Sequence, residues 1–566
     1  MSDVVAKPAG VRVGFSAPVA AGEVLHLWQK ALDPAASSSV VVRSADGGAQ
    51  RMGAPPSDDF LLTELVLAGS GEIDVEWDSD ATIVSVCYAF HPNRVIDEGI
   101  RVLWTSERAR ASAKRYRLHL APPFGWMNDP NGSIEAGGKV HVFYQHYPHA
   151  RHWHTMHWGH SVSENLVDWR HLPVFLHPRE AMLVDPSKSG GAFSGSAIKR
   201  REGGLRIFYT DREDGRSEPE WQMTSVSPDA IRAGPSTPVI DRPPPLPGFG
   251  RDLRDPYVFA KPGGGWSMLL GGADASAALV LLYETDAPDA AEGWRFVAVL
   301  HREPLERVVP AECPCLVPLD GEGDGLHALV FGLIGHRQLV KGRRNPSFAL
   351  VGRFDGVRFD ERTRRELDFI GDCYAFQSFV CGSGPVGIAW AANWADVRRK
   401  HDYASSMTFP RRLIWRDGRL HMPPIDALSL LRRRRLAAGA AALACRLATP
   451  DGLAEIDLSG ARRGAPFRIA FSHPQGEMAL VYDGVNLEFV GPSTAGAPRA
   501  AIDNLSPRDV RIFVDVGIIE VFVDDGLWCG TKRIDADEPV DTIFIDAAPD
   551  AFSRVEVWCL RPQAGA

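Results

Sequence analysis

The chain has 566 residues, 62 of them basic and 71 acidic, a formal net charge of -9 and an apolar fraction of 45%. Such a length exceeds one ordinary domain of ~100–200 residues, so two to four domains and a large buried core are expected. The mild acidity, spread without long runs of one sign, argues against nucleic acid or an anionic membrane as a partner.

Read from its start, the chain opens with MSDVVAKPAGVRVGFSAP, where no basic patch leads into an apolar stretch, so no secretory signal is assigned and a cytoplasmic location is expected. Short runs rich in Val, Ile, Phe, Tyr and Trp recur between Gly, Pro and Asp-Gly turns, which predicts antiparallel sheet nearly throughout. Hairpins are predicted at Gly203-Gly204, Gly263 to Gly265, Asp355-Gly356, Asp417-Gly418 and Asp483-Gly484. The predicted class is all-β, divided into an N-terminal β-rich domain at 1–114, a central body at 115–420, a linker helix at 421–436 and a C-terminal β-sandwich at 437–566. The linker lies in the clearest helix candidate, Pro424 to Leu443, where Arg432 to Arg435 are expected on a solvated face or in interdomain salt bridges. The most apolar run, Leu436 to Cys445, covers about half of the ~20 residues that a membrane span needs. The sandwich rests on RIFVDVGIIEVFVDDG, Arg511 to Gly526, whose alternation suits a half-buried strand pair. Eight scattered cysteines, with one residue between Cys313 and Cys315, predict buried reduced thiols.

The first chemistry-bearing motif is WMNDPNG, Trp126 to Gly132. Asn, Asp, Pro and Gly make a tight turn on their own account. The company of Trp126, Met127, Tyr144, Gln145 and Trp153 strains that simple explanation, because aromatics and amides beside the Asp129 carboxylate suit a sugar face and its hydroxyls. FSGSA follows at Phe193 to Ala197, RDP at Arg254 to Pro256, ECP at Glu312 to Pro314 and DCYA at Asp372 to Ala375. Singly, RDP reads as a surface ion pair and Glu312 as a solvated loop residue. Together, Asp129, Ser194, Asp255, Glu312 and Tyr374 stand 65, 61, 57 and 62 positions apart, each at or just before a short strand. One mark per unit, five times over, predicts a five-bladed β-propeller whose innermost strands begin at one end of a central funnel. Seven histidines crowd between His141 and His160: these two and His146, His149, His152, His154 and His157. No Asp, Glu or Cys accompanies them, and strand alternation sends neighbours to opposite faces, so no metal is assigned.

These motifs resemble glycoside hydrolase family 32, the invertase, inulinase and levanase family. WMNDPNG, Tyr144-Gln145, MHWGH at Met156 to His160, FSGSA, RDP, ECP, Tyr374 to Gln377 and PRRL at Pro410 to Leu413 follow the family's order. The resemblance covers the central body and, through RIFVDVGIIEVFVDDG, the C-terminal sandwich. It implies a retaining β-fructofuranosidase, with Asp129 as nucleophile, Glu312 as general acid and then base, and Asp255 stabilising the transition state. It also implies sugar contacts at Asn128, Gln145, Trp153, Phe193, Ser194 and Arg254 and, from the more variable fifth-blade motif, at Asp372 and Tyr374. The implied partner is a small carbohydrate such as sucrose or a fructo-oligosaccharide, with no cofactor. The chain departs from the family at Ala311, preceded by Pro310, where many members have Trp; a changed pocket wall or leaving-group side is expected. Arg412 stands where an acidic residue is common. Residues 1–114 match no family motif and are a candidate lid, homo-oligomer interface or stability element.

The chemistry asks for such a set on its own terms. Cleaving a fructofuranosidic bond builds oxocarbenium character at the anomeric carbon, so one carboxylate must face that carbon while a second carboxyl protonates the departing oxygen. Holding the two ~5–5.5 Å apart makes the ionised one a nucleophile. Glu312 must then be raised by burial or by Asp129 and Asp255, while Arg254 is expected to keep Asp255 ionised, giving a bell-shaped pH profile with a mildly acidic to neutral maximum. Fructosyl transfer, hydrolysis of inulin or levan, and fructoside binding without turnover are the alternatives. An inverting arabinanase-like hydrolase is the fold-level rival, against which WMNDPNG and ECP argue.

Overall fold

Strands that alternate apolar and polar residues bury their faces as short antiparallel sheets packed on one another. In the computed structural model, which describes residues 12–44, 47–106, 116–185, 187–216, 220–261, 263–322, 325–337, 342–397, 405–449, 451–491, 499–534 and 539–565, the chain is built almost wholly this way. All five predicted hairpins are antiparallel strand pairs. The described helices are short, and none is long and apolar enough to cross a membrane.

Five consecutive sheets, blades I to V, make a β-propeller. Their innermost strands are Trp126–Ala136, Gly190–Lys199, Leu253–Ala260, Ala311–Pro318 and Tyr374–Cys381. Each packs against the innermost strands on either side, and the fifth returns to the first, so the ring closes. Every one carries a β-bulge at the same level, where two residues oppose one on the neighbouring strand. The bulged pairs are Asn128-Asp129, Phe193-Ser194, Asp255-Pro256, Cys313-Pro314 and Ala375-Phe376. The five sequence marks thus lie within the strands rather than ahead of them. A bulge twists its strand and re-aims the side chain beside it, which is how five strands turn polar groups into one funnel. Proline follows Asp129, Asp255 and Cys313, and a residue without an N–H suits a place where the ladder is already broken.

On the N-terminal side, two four-stranded sheets sandwich a core that includes Leu25, Leu27, Val40, Val75 and Cys87. This sandwich meets blade I through the histidine-rich stretch. Trp28 stacks on His177 at 5.3 Å and takes His149 and His157 edge-on at 5.0 and 5.5 Å, while Ser85 Oγ lies 2.7 Å from His149 Nδ1. His141 and His160 bond each other at 3.0 Å, and His146 bonds the Trp126 carbonyl at 2.7 Å.

Two six-stranded sheets form the C-terminal sandwich, and Asp509–Asp515 with Ile518–Val523 are the strand pair expected from RIFVDVGIIEVFVDDG. Its contact with the propeller joins an apolar core, where Phe409 meets Phe513, to buried charge. Buried Asp515 accepts the N–H groups of Arg117, Leu118 and His119, and His119 bridges Asp515 at 2.8 Å and Glu520 at 3.0 Å. Arg411, from the PRRL motif, donates to Glu520 at 2.7 Å.

The linker helix is not formed. Asp426–Leu431 is a short 3₁₀ turn, and Arg432–Ala438 is an edge strand of the sandwich paired with Phe552–Leu560. Arg432 grips Glu455 at 2.7 and 2.8 Å and stacks on Trp558, while Arg435 reaches Glu556. Such pairing outweighs a helix propensity of a few tenths of a kcal/mol per residue, and Gly439, at φ 64°, ends the run. Among the cysteines, Cys445 is exposed and Cys381 half-buried, against the expectation of burial; the other six are buried.

Candidate active site

The bulges of blades I to IV deliver their polar residues to a cavity of about 660 Å³ at the mouth of the funnel. Asp129 accepts from Asn128 Nδ2 at 2.9 Å and Ser194 Oγ at 2.9 Å. Asn128 is fixed in turn by Trp126 Nε1 at 2.6 Å. Asp255 accepts the Cys313 N–H at 2.8 Å, and its own N–H is bonded by Thr210 Oγ1 at 2.9 Å. The Cys313 thiol lies 3.7 Å from Asp129 Oδ2. Three carboxyl groups from blades I, III and IV therefore meet around one residue, the neighbour of Glu312. Asp255 and Cys313 adopt φ of 61° and 50°, a left-handed backbone that costs such residues ~1–3 kcal/mol each and that the packed ring sustains.

Glu312 is clamped on both oxygens: Arg254 Nη1 donates to Oε1 at 3.0 Å and the Tyr374 hydroxyl to Oε2 at 2.9 Å. Burial, opposed by the charge of Arg254 and aided by that of Asp129, pushes Glu312 above the usual carboxylate range. Burial and the charge of Glu312 also raise Asp255. Asp129 is raised by burial, while its bonds from Asn128, Ser194 and Cys313 pull the other way and favour its ionised form.

Of the sequence-predicted contacts, Asn128, Gln145, Trp153, Phe193, Ser194 and Arg254 line this cavity with the three carboxylates. Trp153 is 37% exposed and makes a T-shaped contact with Phe193 at 6.0 Å. Two predicted contacts do not reach the cavity wall. Tyr374 is fully buried and acts on Glu312 instead. Asp372 points to the C-terminal sandwich, where it takes Lys532 Nζ at 2.8 Å and the Arg533 N–H at 2.9 Å. Arg254 also differs from expectation, since its hydrogen bonds go to Glu312, Glu220 and Asp252 and it touches Asp255 only through its field. Pro310, not Ala311, lines the wall, and Ala311 is buried. Arg412 pairs with Asp320 at 2.7 Å, outside the cavity.

Sequence reasoning missed Glu220, whose Oε1 accepts from both Arg254 and Arg212 and so sets the arginine that holds Glu312. It missed Thr210 as well. Both lie away from the innermost strands, with no local signature to mark them. Of the seven histidines between 141 and 160, His152 lines the cavity. Among the described residues no group of three or more His, Cys, Asp or Glu side chains could hold a metal ion.

The chain is similar to proteins already known. The family model described as the glycosyl hydrolases family 32 N-terminal domain matches residues 119–424. The chain belongs to glycoside hydrolase family 32. It is a glycoside hydrolase, and its substrate is a carbohydrate. It is 30% identical over 487 residues to a sucrose-6-phosphate hydrolase of Klebsiella pneumoniae, covering 81% of this chain and 96% of that one. To a raffinose invertase of Escherichia coli it is 30% identical over 456 residues, covering 74% and 88%. Among solved structures, a family 32 glycoside hydrolase from Bifidobacterium adolescentis superposes with a TM-score of 0.84 at 22% identity, over 97% of this chain and 99% of that one. The shared fold therefore extends beyond the propeller to nearly the whole length.

Proposed function

We propose that the chain is a retaining β-fructofuranosidase that hydrolyses the terminal fructosyl bond of sucrose and short fructo-oligosaccharides. The observation that carries this reading is the meeting of Asp129, Asp255 and Glu312 around Cys313, with Glu312 clamped by Arg254 and Tyr374. Asp129, ionised and held by Asn128 and Ser194, attacks the anomeric carbon as Glu312 gives its proton to the departing oxygen, so the glycosidic bond breaks and a fructosyl ester forms. Water then gives a proton to Glu312 and attacks the same carbon, Asp129 leaves, and fructose departs with its original configuration. Asp255, in the same wall, accepts fructosyl hydroxyls. The relatives' names point to sucrose-type substrates. Among the described residues, the two arginines that line the cavity are paired with carboxylates, Arg212 with Asp214 and Arg254 with Glu312.

Sucrose incubated with the purified protein in aqueous methanol tests the reading in one reaction. Glucose release with methyl β-D-fructofuranoside is expected, because methanol captures the ester from the face that water uses. The α-methyl product would overturn retention, and absence of glucose would overturn the substrate. Activity should fall on the alkaline side, since Glu312 must carry its proton and burial raises its carboxyl above the usual range. Glu312→Gln should lower kcat by ~10²–10⁴ and abolish that limb.

A further inference from the structure

The segment 148–156 joins the second and third strands of blade I and carries His152 and Trp153 into the cavity. Its far end is anchored to blade II, where Met156 N–H bonds the Gly190 carbonyl and Met156 O accepts the Ala192 N–H. Other side-chain ties from this stretch run to the N-terminal sandwich. Ser85 holds His149, and Asp59 reaches both ends of the excursion: its Oδ1 accepts the Tyr147 hydroxyl at 3.0 Å, and its Oδ2 faces His154 Nδ1 at 3.4 Å. Asp59 is buried although His154 is half exposed, and the Phe60 N–H bonds Oδ1 at 2.8 Å, which fixes the rotamer. Burial would raise this carboxyl, yet His154, His149 and the Phe60 N–H together hold it well below the usual range. The aromatic rings pass the constraint along. Tyr147 packs on His154 at 5.0 Å and on His152 at 5.8 Å, and Trp153, between those two histidines, meets Phe193.

We propose that Asp59 is a positioning residue for substrate binding: by fixing Tyr147 and His154 it holds His152 and Trp153 in the cavity wall, so that the N-terminal sandwich sets how tightly the sugar is held. The proposal rests on the fructofuranosidase reading for its kinetic readout. Asp59 touches none of the reacting groups, so its loss should weaken binding and leave the chemical step intact.

Three variants test this: Asp59→Asn, His154→Ala and the double variant, each assayed with sucrose and by hydrogen exchange over 148–156. Asp59→Asn keeps the side-chain volume and the Oδ1 acceptor for Phe60 and Tyr147, so it cuts only the ion pair with His154, and His154 is exposed enough that its removal spares the fold. Each single variant should raise KM about five- to tenfold with kcat within about twofold and faster exchange in the segment. The double variant should be no worse than either single one, because both cut the same tie. An unchanged KM, additive effects, or losses of kcat that track loss of folded protein would each overturn the proposal. A wild type inactive on sucrose would sink the functional reading alone, and the exchange measurement, which needs no substrate, would still decide this one.

Discussion

Where the C-terminal sandwich meets the propeller, charge is buried and paired; where the N-terminal sandwich meets it, buried imidazoles stay neutral around one ionised carboxylate, Asp59. In the first seam His119 lies between Asp515 and Glu520, and Arg411 closes the set. Burial alone would lower His119, but the bonds from Asp515 and Glu520 raise it to about 9. In the second, burial lowers His149 far below its usual value and takes His157 and His177 down to about 3. None of the charged groups of the first seam lines the cavity, whereas the second seam, through Asp59 and His149, continues into the segment that bears Trp153. One sandwich is therefore spent on holding the fold and the other on shaping the site.

The largest test of that division is Glu520→Ala. It strands His119⁺ and Arg411⁺ without a shared partner in a dry interface, a loss of ~3–5 kcal/mol. The melting temperature should fall by on the order of 10 °C, while the folded fraction keeps its KM for sucrose. A risen KM with unchanged stability would reverse the roles of the two seams.

The seams should also respond to pH in opposite directions. His119 has a folded value raised above its unfolded one, so its contribution is complete below about 6.5 and is lost as pH rises towards 9. His149, His157 and His177 have depressed folded values, so their contribution is present above about 6.5 and is lost as pH falls below it. Melting curves across pH should show the wild type's advantage over His119→Gln, up to about 3 kcal/mol, closing as pH nears 9. His177→Phe, which keeps the stack on Trp28, should gain on the wild type only below pH 6.5. Parallel curves in either case would remove the electrostatic contrast.

The contrast was only half legible in the sequence, for a physical reason. Asp129, Ser194, Asp255 and Glu312 announce themselves because a bulge on an innermost strand needs Pro, Gly or Asx beside the functional residue, and such clusters stand out in a β-rich chain. Seam residues carry no such mark. His149 and His157 sit among histidines that look like a metal site until Trp28 and Ser85, more than sixty positions away, are brought against them. Glu520 falls inside an ordinary alternating strand, and nothing local distinguishes it from a solvent-facing acid. Arg432 to Arg435 read as a helix because the carboxylates that draw out their strand, Glu455 and Glu556, lie far along the chain.

Asp372 is where the two kinds of residue are most easily confused, and it supplies the smallest test. It stands two positions before Tyr374, within a motif that marks the site in the sequence, yet its carboxylate is taken up by Lys532 and the Arg533 N–H of the C-terminal sandwich. Lys532 is one-third exposed, so the ion pair contributes little, ~1 kcal/mol or less. Lys532→Met removes it and leaves the Arg533 bond in place, so Asp372 keeps its orientation. Melting should move by about 2 °C or less, with kcat and KM for sucrose unchanged. A several-fold rise in KM would mean that Asp372 bears on the sugar after all, and that the C-terminal sandwich also shapes the site.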